Sequence, residues 1–459
     1  MKIAFVVPGI MGTRLSLGNE EVWPPTPIET QFGYKRIDKL QDDRVQPTKL
    51  IYNVLCFNFY STIKDVLAGA GYTRGGDQKR YVDFPYDWRR DLFETCDVMA
   101  AELKVLVNNG ASEISLVGHS MGGLICRLLL ESGRYDAEPW FGKIKQFVAL
   151  ASPHLGAPLA LARIFGLDST MGISGKDFAK LAANSKYPSG YQLIPAPEEQ
   201  AIWDVASADL TALDPYDAAT MTELGLVPEL VARARAVHDV LGKGIQPEGV
   251  RYFYFAGVGH KTVTRINVNV GAAGTVDHAA SVVTHTPDGG DGTVPIYSAL
   301  PRLGQRQLVV NEHSTVFEGL PFKRVFFRLF GADAGPPVET SGGDRPHITV
   351  SLSINQPVQG VGQPIEVTLS LIPPASPSGD VGAQATVTSI TGKFVLDRVD
   401  DEGNVVERGF RETEMSYNGP GINRLTTHLP PAEEPGLFVL RFASSAQAEN
   451  DVRFAVSSA

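Results

Sequence analysis

The chain has 459 residues, 43% of them hydrophobic, and a formal net charge of -10. That length buries a large core and leaves room for two or three domains, while the acidic balance excludes the broad basic face that nucleic acid requires and any purely electrostatic hold on anionic membranes. No apolar run approaches the roughly 18 residues of a spanning helix, so no transmembrane segment is predicted and any contact with lipid has to be apolar.

Apolar, strand-like runs recur at residues 3–7, 81–84, 114–117, 146–150, 252–255 and 307–310, with helical patterns between them. This alternation predicts an α/β fold, a mostly parallel sheet flanked by helices. Lys2 and residues 3–7 have the look of a secretory signal, but the loop that follows carries part of the expected site, so the run is read as a retained strand. Residues 13–50, rich in Pro, Gly and charge, read as a lid-like insertion. Phe57, Tyr60, Ile63 and Leu67 form one apolar helical stripe; Leu92, Cys96, Met99, Leu103 and Leu106 form another, stopped by Asn109-Gly110. Cys56, Cys96 and Cys126 are odd in number and lack metal-type spacing, which points to a reducing, cytoplasmic compartment.

Gly118-His119-Ser120-Met121-Gly122 falls between the run 114–117 and a helical pattern over 123–130. In that setting G-x-S-x-G describes a nucleophile elbow, a sharp strand-to-helix turn that lifts the serine oxygen clear of the sheet. Residues 158–249 read as a cap insertion that includes a helix over 226–241, whose apolar Leu230 and Val231 are expected on a lipid-facing rim, with burial in the core as the alternative. Residues 331–346 read as a linker. Beyond it, β-rich runs at 347–354, 365–372, 385–390, 394–399 and 438–442, separated by turn residues, predict a β-sandwich at 347–459 after an α/β-hydrolase domain at 1–330.

A serine hydroxyl needs a base and a carboxylate to orient that base. In α/β-hydrolases the chain order is Ser, acid, His, and after Ser120 the histidine that follows a strand run and opens a helix within the sheet domain is His313. The preferred acid is Asp291, in Gly290-Asp291-Gly292-Thr293-Val294, with Asp288 as alternative. Met121, the residue after the nucleophile, should supply one oxyanion N–H, and the glycine-flanked loop Pro8-Gly9-Ile10-Met11-Gly12 the other, from Ile10 or else Met11. His119 and His154 read as turn or supporting residues. His278, His285, Asp288 and Asp291 lie close in sequence but match no zinc spacing, so neither a metal nor a cofactor is expected. The sandwich, with no Trp and no basic patch, reads as a module for a protein partner or for assembly, with a purely stabilising appendage as the alternative.

Together, Pro8-Gly9-Ile10-Met11-Gly12, Phe84-Pro85-Tyr86-Asp87-Trp88-Arg89, the elbow, Ser152-Pro153-His154-Leu155-Gly156, residues 290–294 and Glu312-His313 resemble the lecithin:cholesterol acyltransferase family. That family also contains lysosomal phospholipase A2, and the resemblance covers residues 1–330. It implies an α/β-hydrolase fold, a triad of Ser120, Asp291 and His313, an oxyanion donor at Ile10, and hydrolysis or transfer of a lipid acyl chain, with Trp88 toward the acyl end of the site or else a core residue; Met11, in the same loop as Ile10, is also expected toward the substrate. The expected activity is of phospholipase A type through an acyl-enzyme, peripheral at a lipid surface. A carboxylesterase, thioesterase or amidase, or a non-catalytic binding module, is the alternative. The chain departs from the animal enzymes in lacking a cysteine pair in the early insertion, in carrying Ile10 where they often have a polar residue, and in adding a β domain.

Overall fold

The computed structural model describes the chain apart from residues 55–56, 59, 208–209, 271–275, 302–303, 310, 318–319, 333–347, 355–357, 373–385, 401–404, 445–446, 449–450 and 458–459. It divides into two compact units, one formed by residues 1–51 and 67–316, the other by 52–66 and 317–459. Most of the expected linker at 331–346 lies outside the described residues.

The first unit is built on six strands, here β1 (Lys2–Val7), β2 (Lys79–Asp83), β3 (Glu113–His119), β4 (Ile144–Leu150), β5 (Arg251–Gly257) and β6 (Gln305–Val309). They lie side by side in the order β6-β5-β4-β3-β1-β2, every pair parallel. All six match the expected runs. In β1, β3 and β4 nearly every residue is buried, which is why these strands read as continuous apolar runs without alternation: helices cover both faces of the sheet. The chain leaves β1 toward the β2 edge, then returns to the other side of β1 to place β3. Such a reversal opens a crevice at the carboxyl ends of the two central strands, where ligands bind in open α/β sheets. The loops at that crevice are residues 8–12 and the turn at Ser120.

Helix α1 (Leu92–Asn108) starts where the Asp91 side chain accepts from the Phe93 N–H, and it buries Leu92, Cys96, Met99 and Leu103 as its stripe predicts. Helix α2 (Met121–Glu131) is buried along its whole length. The expected stripe from Phe57 to Leu67 is corrected: the helix there is Ser61–Gly69, and Phe57 belongs to a short strand, Phe57–Asn58, paired with Asn53–Val54. An apolar spacing of three also fits a residue that lies just before a helix.

Neither insertion is loop alone. Within residues 13–50, strands Thr13–Leu17, Glu20–Trp23 and Gln46–Leu50 form an antiparallel sheet. Beyond the first half of the cap region, Ile202–Asp204 and Thr211–Leu213 join the long hairpin His260–Val268 and Val282–Gly290 in a four-stranded sheet. Helix Pro228–Leu241 packs here. Its Leu230 and Val231 are 0% and 2% exposed, in a cluster with Leu161, Ile194, Ile202, Val263 and Ile266. The expected lipid-facing rim at these two residues is therefore core, because an amphipathic stripe reports that a face is apolar and not what covers it. Among the described residues, no helix is long and apolar enough to cross a membrane.

The C-terminal residues form two sheets. One orders strands Arg424–Leu429, Ile365–Ile372, Thr349–Ile354 and Gln447–Ala448; the other orders Val358–Gly360, Val452–Ser457, Gly436–Ser444, Val387–Val399 and Val405–Ile422. Inward residues of both, among them Val350, Val367, Leu369, Phe394, Leu396, Phe438, Leu440 and Phe454, share one core, so the domain is a β-sandwich. The two expected runs at 385–390 and 394–399 are one strand, Val387–Val399. Thr391-Gly392-Lys393 imitates a turn, but Gly392 is there for packing, since a Cβ on it would stand 2.5 Å from the Phe442 ring. Strand Val405–Ile422 was missed because its side chains are mostly exposed, leaving little apolar alternation to see.

Candidate active site

At the carboxyl end of β3 the chain turns through Ser120 straight into α2. Ser120 has φ 51 and ψ -125, a left-handed conformation that costs a non-glycine residue roughly 1–3 kcal/mol and persists only where the surroundings enforce it. They do so here: the Ser120 N–H donates to the Leu150 carbonyl at 2.8 Å, and the Gly123 N–H donates to the Ser120 carbonyl at 3.0 Å. A Cβ on Gly122 would lie 2.2 Å from the Val7 carbonyl oxygen, so only glycine lets α2 start against β1. The turn is thus the expected elbow in geometry as well as in sequence.

The loop after β1 meets the elbow directly. A Cβ on Gly9 would stand 2.8 Å from the Ser120 Cβ and 3.3 Å from its Oγ. The Gly12 N–H closes a tight turn on the Gly9 carbonyl at 3.1 Å, with Met11 at φ 65. Three further donors hold the loop's carbonyls: the Tyr86 hydroxyl on Pro8 at 2.7 Å, the Trp23 indole N–H on Met11 at 2.8 Å and the Ile51 N–H on Gly12 at 3.0 Å. Among the described residues, no acceptor faces the N–H groups of Ile10 and Met121. Trp23 carries no sequence signal for this task. It sits in the early insertion, fully buried, and only the fold brings it to the loop.

Asp291 follows strand Val282–Gly290 and is 1% exposed. Its Oδ1 accepts the N–H groups of Thr293 at 2.9 Å and Val294 at 2.7 Å, and its Oδ2 lies 2.8 Å from Nδ1 of His313. The His313 N–H also donates to the Asp291 carbonyl at 2.9 Å, so one residue holds both the ring and the main chain of the histidine. Asp288, the alternative acid, is exposed on the hairpin with φ 54. His119, next to Ser120, stands 3.0 Å by Nε2 from the His313 carbonyl, and the two rings lie 4.9 Å apart. His119 therefore links the elbow to the Asp291–His313 pair. Glu312 is half-exposed and held above the usual carboxylate range by lost hydration first and by the Asp291 charge second; His260 Nδ1 lies 3.8 Å from it.

Of the residues expected toward substrate, Met11 is 6% and Trp88 2% exposed. Trp88 packs edge-on to Trp23 with ring centroids 5.3 Å apart, and its indole N–H has no acceptor among the described residues. His154 is buried against Tyr254 and Arg127, away from Asp291 and His313 in its contacts. His278 stacks on Phe165 and His285 is exposed. Among the described residues, no group of three His, Cys, Asp or Glu side chains is arranged to hold a metal ion.

Residues 30–223 match the family model described as lecithin:cholesterol acyltransferase. No curated protein matches the sequence. Among solved structures, the chain is similar to one from a Tle4-Tli4 complex, at 12% identity over 72% of this chain and 98% of that one, with a TM-score of 0.47. It is also similar to Bacillus licheniformis lipase BlEst2 in mature form, at 13% identity over 72% and 90%, TM-score 0.36, and to phospholipase PlaB from Legionella pneumophila, at 9% over 100% and 93%, TM-score 0.28. The fold is read from the strand order and the elbow and not from these slight likenesses. Residues 30–223 thus resemble the lecithin:cholesterol acyltransferase family, on a chain whose strand order and elbow are those of an α/β-hydrolase.

Proposed function

We propose that the chain is a serine hydrolase of lipid acyl esters, of phospholipase A type, able to pass the acyl group to water or to an alcohol. The observation that carries this reading is the pairing of buried Asp291 with partly buried His313, 2.8 Å apart and tied through His119 to a serine in a strained elbow. The lipid class rests on the family model, which spans the elbow and the Ser152-Pro153-His154-Leu155-Gly156 run after it.

In this reading His313 Nε2 takes the Ser120 hydroxyl proton as Oγ bonds to the ester carbonyl carbon. The negative charge that gathers on the carbonyl oxygen is met by the N–H groups of Ile10 and Met121, which face no acceptor among the described residues and so need no rearrangement. Collapse expels the alcohol, which leaves with the proton from His313, and an acyl-Ser120 ester remains. Water or an acceptor alcohol then gives its proton to His313 and attacks that ester, restoring Ser120. Asp291 holds Nδ1–H toward itself, so that Nε2 is the free base, and it stabilises the imidazolium that forms. Met11 and Trp88 line the acyl side.

The test is release of fatty acid from phospholipid vesicles or mixed micelles, followed by lipid mass spectrometry, with Ser120→Ala as control. Release that depends on Ser120 supports the reading. Brisk turnover of small esters, thioesters or amides with no release from any phospholipid mixture would replace the lipid assignment with one of those activities, and no Ser120-dependent turnover at all would leave a binding module. A finer expectation follows from Trp23. Because its indole N–H fixes the Met11 carbonyl, and with it the Met11–Gly12 peptide of the loop that carries the Ile10 N–H, Trp23→Phe should lower kcat on a soluble ester about tenfold with KM within about twofold. A rise in KM at constant kcat would place Trp23 in ground-state binding instead.

A further inference from the structure

We propose that His119 is a positioning residue for His313, holding the base in place by donating its Nε2–H to the His313 carbonyl and by backing the imidazole with its own ring. The inference rests on the reading of Ser120, His313 and Asp291 given above and adds a fourth member to that set.

His313 needs such a hold. It opens a three-residue 3-10 helix, His313–Thr315, a short element with weak hydrogen-bond geometry that fixes little by itself. Asp291 secures its N–H at 2.9 Å and its Nδ1 at 2.8 Å. His119 adds a hold on the carbonyl and on one ring face, at 3.0 Å and at a centroid separation of 4.9 Å with the planes 41° apart. His119 is itself rigid. It ends the central strand β3, paired with Leu150, is 5% exposed, and its backbone leads directly into Ser120. Nucleophile and base are thereby referenced to the same strand end, and a hydrogen bond from that strand sets their relative position.

The chemistry of the donor fits the task. Only a protonated nitrogen donates to a carbonyl, so Nε2 carries the hydrogen. Burial first, and the His313 charge second, press the His119 ring down to about 3, against the pull of the bond to His313. It therefore stays neutral at working pH and adds no charge against the imidazolium that His313 becomes. The other ionisable groups around His313 are Asp291, Glu312 and, beyond Glu312, His260.

His119→Gln and His119→Met are close in length and volume, but only Gln offers an N–H where Nε2 now stands. Both are assayed on a soluble ester over a range of pH beside the wild type, together with the rate of fluorophosphonate labelling at Ser120 and thermal stability. The Met variant should lose about tenfold in kcat with KM within about twofold, label more slowly to match, and move the acidic limb of its kcat/KM profile. The Gln variant should recover to within about threefold of wild type. Equal loss in the two variants, in step with their thermal stability and with an unmoved acidic limb, would overturn the positioning role, as would wild-type kcat in the Met variant. If the Met variant fails to fold, His119→Phe, which keeps the ring and lacks the donor, takes its place in the comparison. Wild-type protein that does not label at Ser120 brings down the hydrolase reading and this inference with it; labelling that is the same in all three proteins brings down this inference alone.

Discussion

Ser120→Ala is expected to abolish labelling by a fluorophosphonate and to lower turnover of a soluble ester by about six orders of magnitude, the scale seen when a triad nucleophile is removed. The loss should come without loss of fold. Ser120 sits at φ 51, where Ala and Ser bear the same backbone strain, and no hydrogen bond from the Ser120 side chain caps α2, so the change removes the hydroxyl and little else. Far-ultraviolet circular dichroism and a melting curve close to wild type would establish that point. Full labelling of the Ala variant, or turnover within tenfold of wild type, would end the covalent mechanism.

The second large effect separates the two aspartates. In Asp291→Asn the Oδ1 position remains occupied by an oxygen accepting from Thr293 and Val294, which turns the new amide NH2 toward His313. Nδ1 must then accept, the ring hydrogen moves to Nε2, and the histidine presents a donor to Ser120 where the reaction needs an acceptor. A loss of about four orders of magnitude in kcat is expected from this change of tautomer. Asp288→Asn should stay within about threefold, because the residue is exposed and Asn is among the side chains most at ease at positive φ. Steady-state kinetics on purified variants decides it. Comparable losses at both positions would remove Asp291 from its assigned place.

The sequence by itself determined the architecture of the sheet domain, and for a physical reason. Strands of a parallel sheet are buried on both faces, so β1, β3 and β4 had to be written as runs of Val, Ile, Leu and Phe that stand out against any loop. The elbow was legible because glycine was required at Gly118 and Gly122 by close backbone approach and at Gly123 by the Ser152 side chain, and the order of serine, acid and histidine narrowed the candidates to Ser120, Asp291 or Asp288, and His313. Asp288 and Asp291 carry the same side chain three residues apart. Which of them meets a histidine depends on where the hairpin His260–Val268 and Val282–Gly290 ends, and that is a tertiary fact.

What surrounds those residues was decided only in three dimensions. Trp23 reaches the Met11 carbonyl across 12 residues, and His119 reaches the His313 carbonyl across 194; neither bond leaves a local pattern, since a single donor over such a span has no periodicity. Leu230 and Val231 show the converse. Their spacing announced an apolar face correctly, yet the cover over it, supplied by Ile202, Val263 and Ile266 from strands far along the chain, made that face a core and not a rim. In the sandwich, the exposed strand Val405–Ile422 was invisible for lack of buried alternation, and Gly392 resembled a turn because a glycine admitted for the Phe442 ring carries the same letter as one admitted for a bend. Local composition records how much apolar surface each element must hide. Only the packed fold assigns the neighbour that hides it, and with that neighbour the donors that hold the site in register.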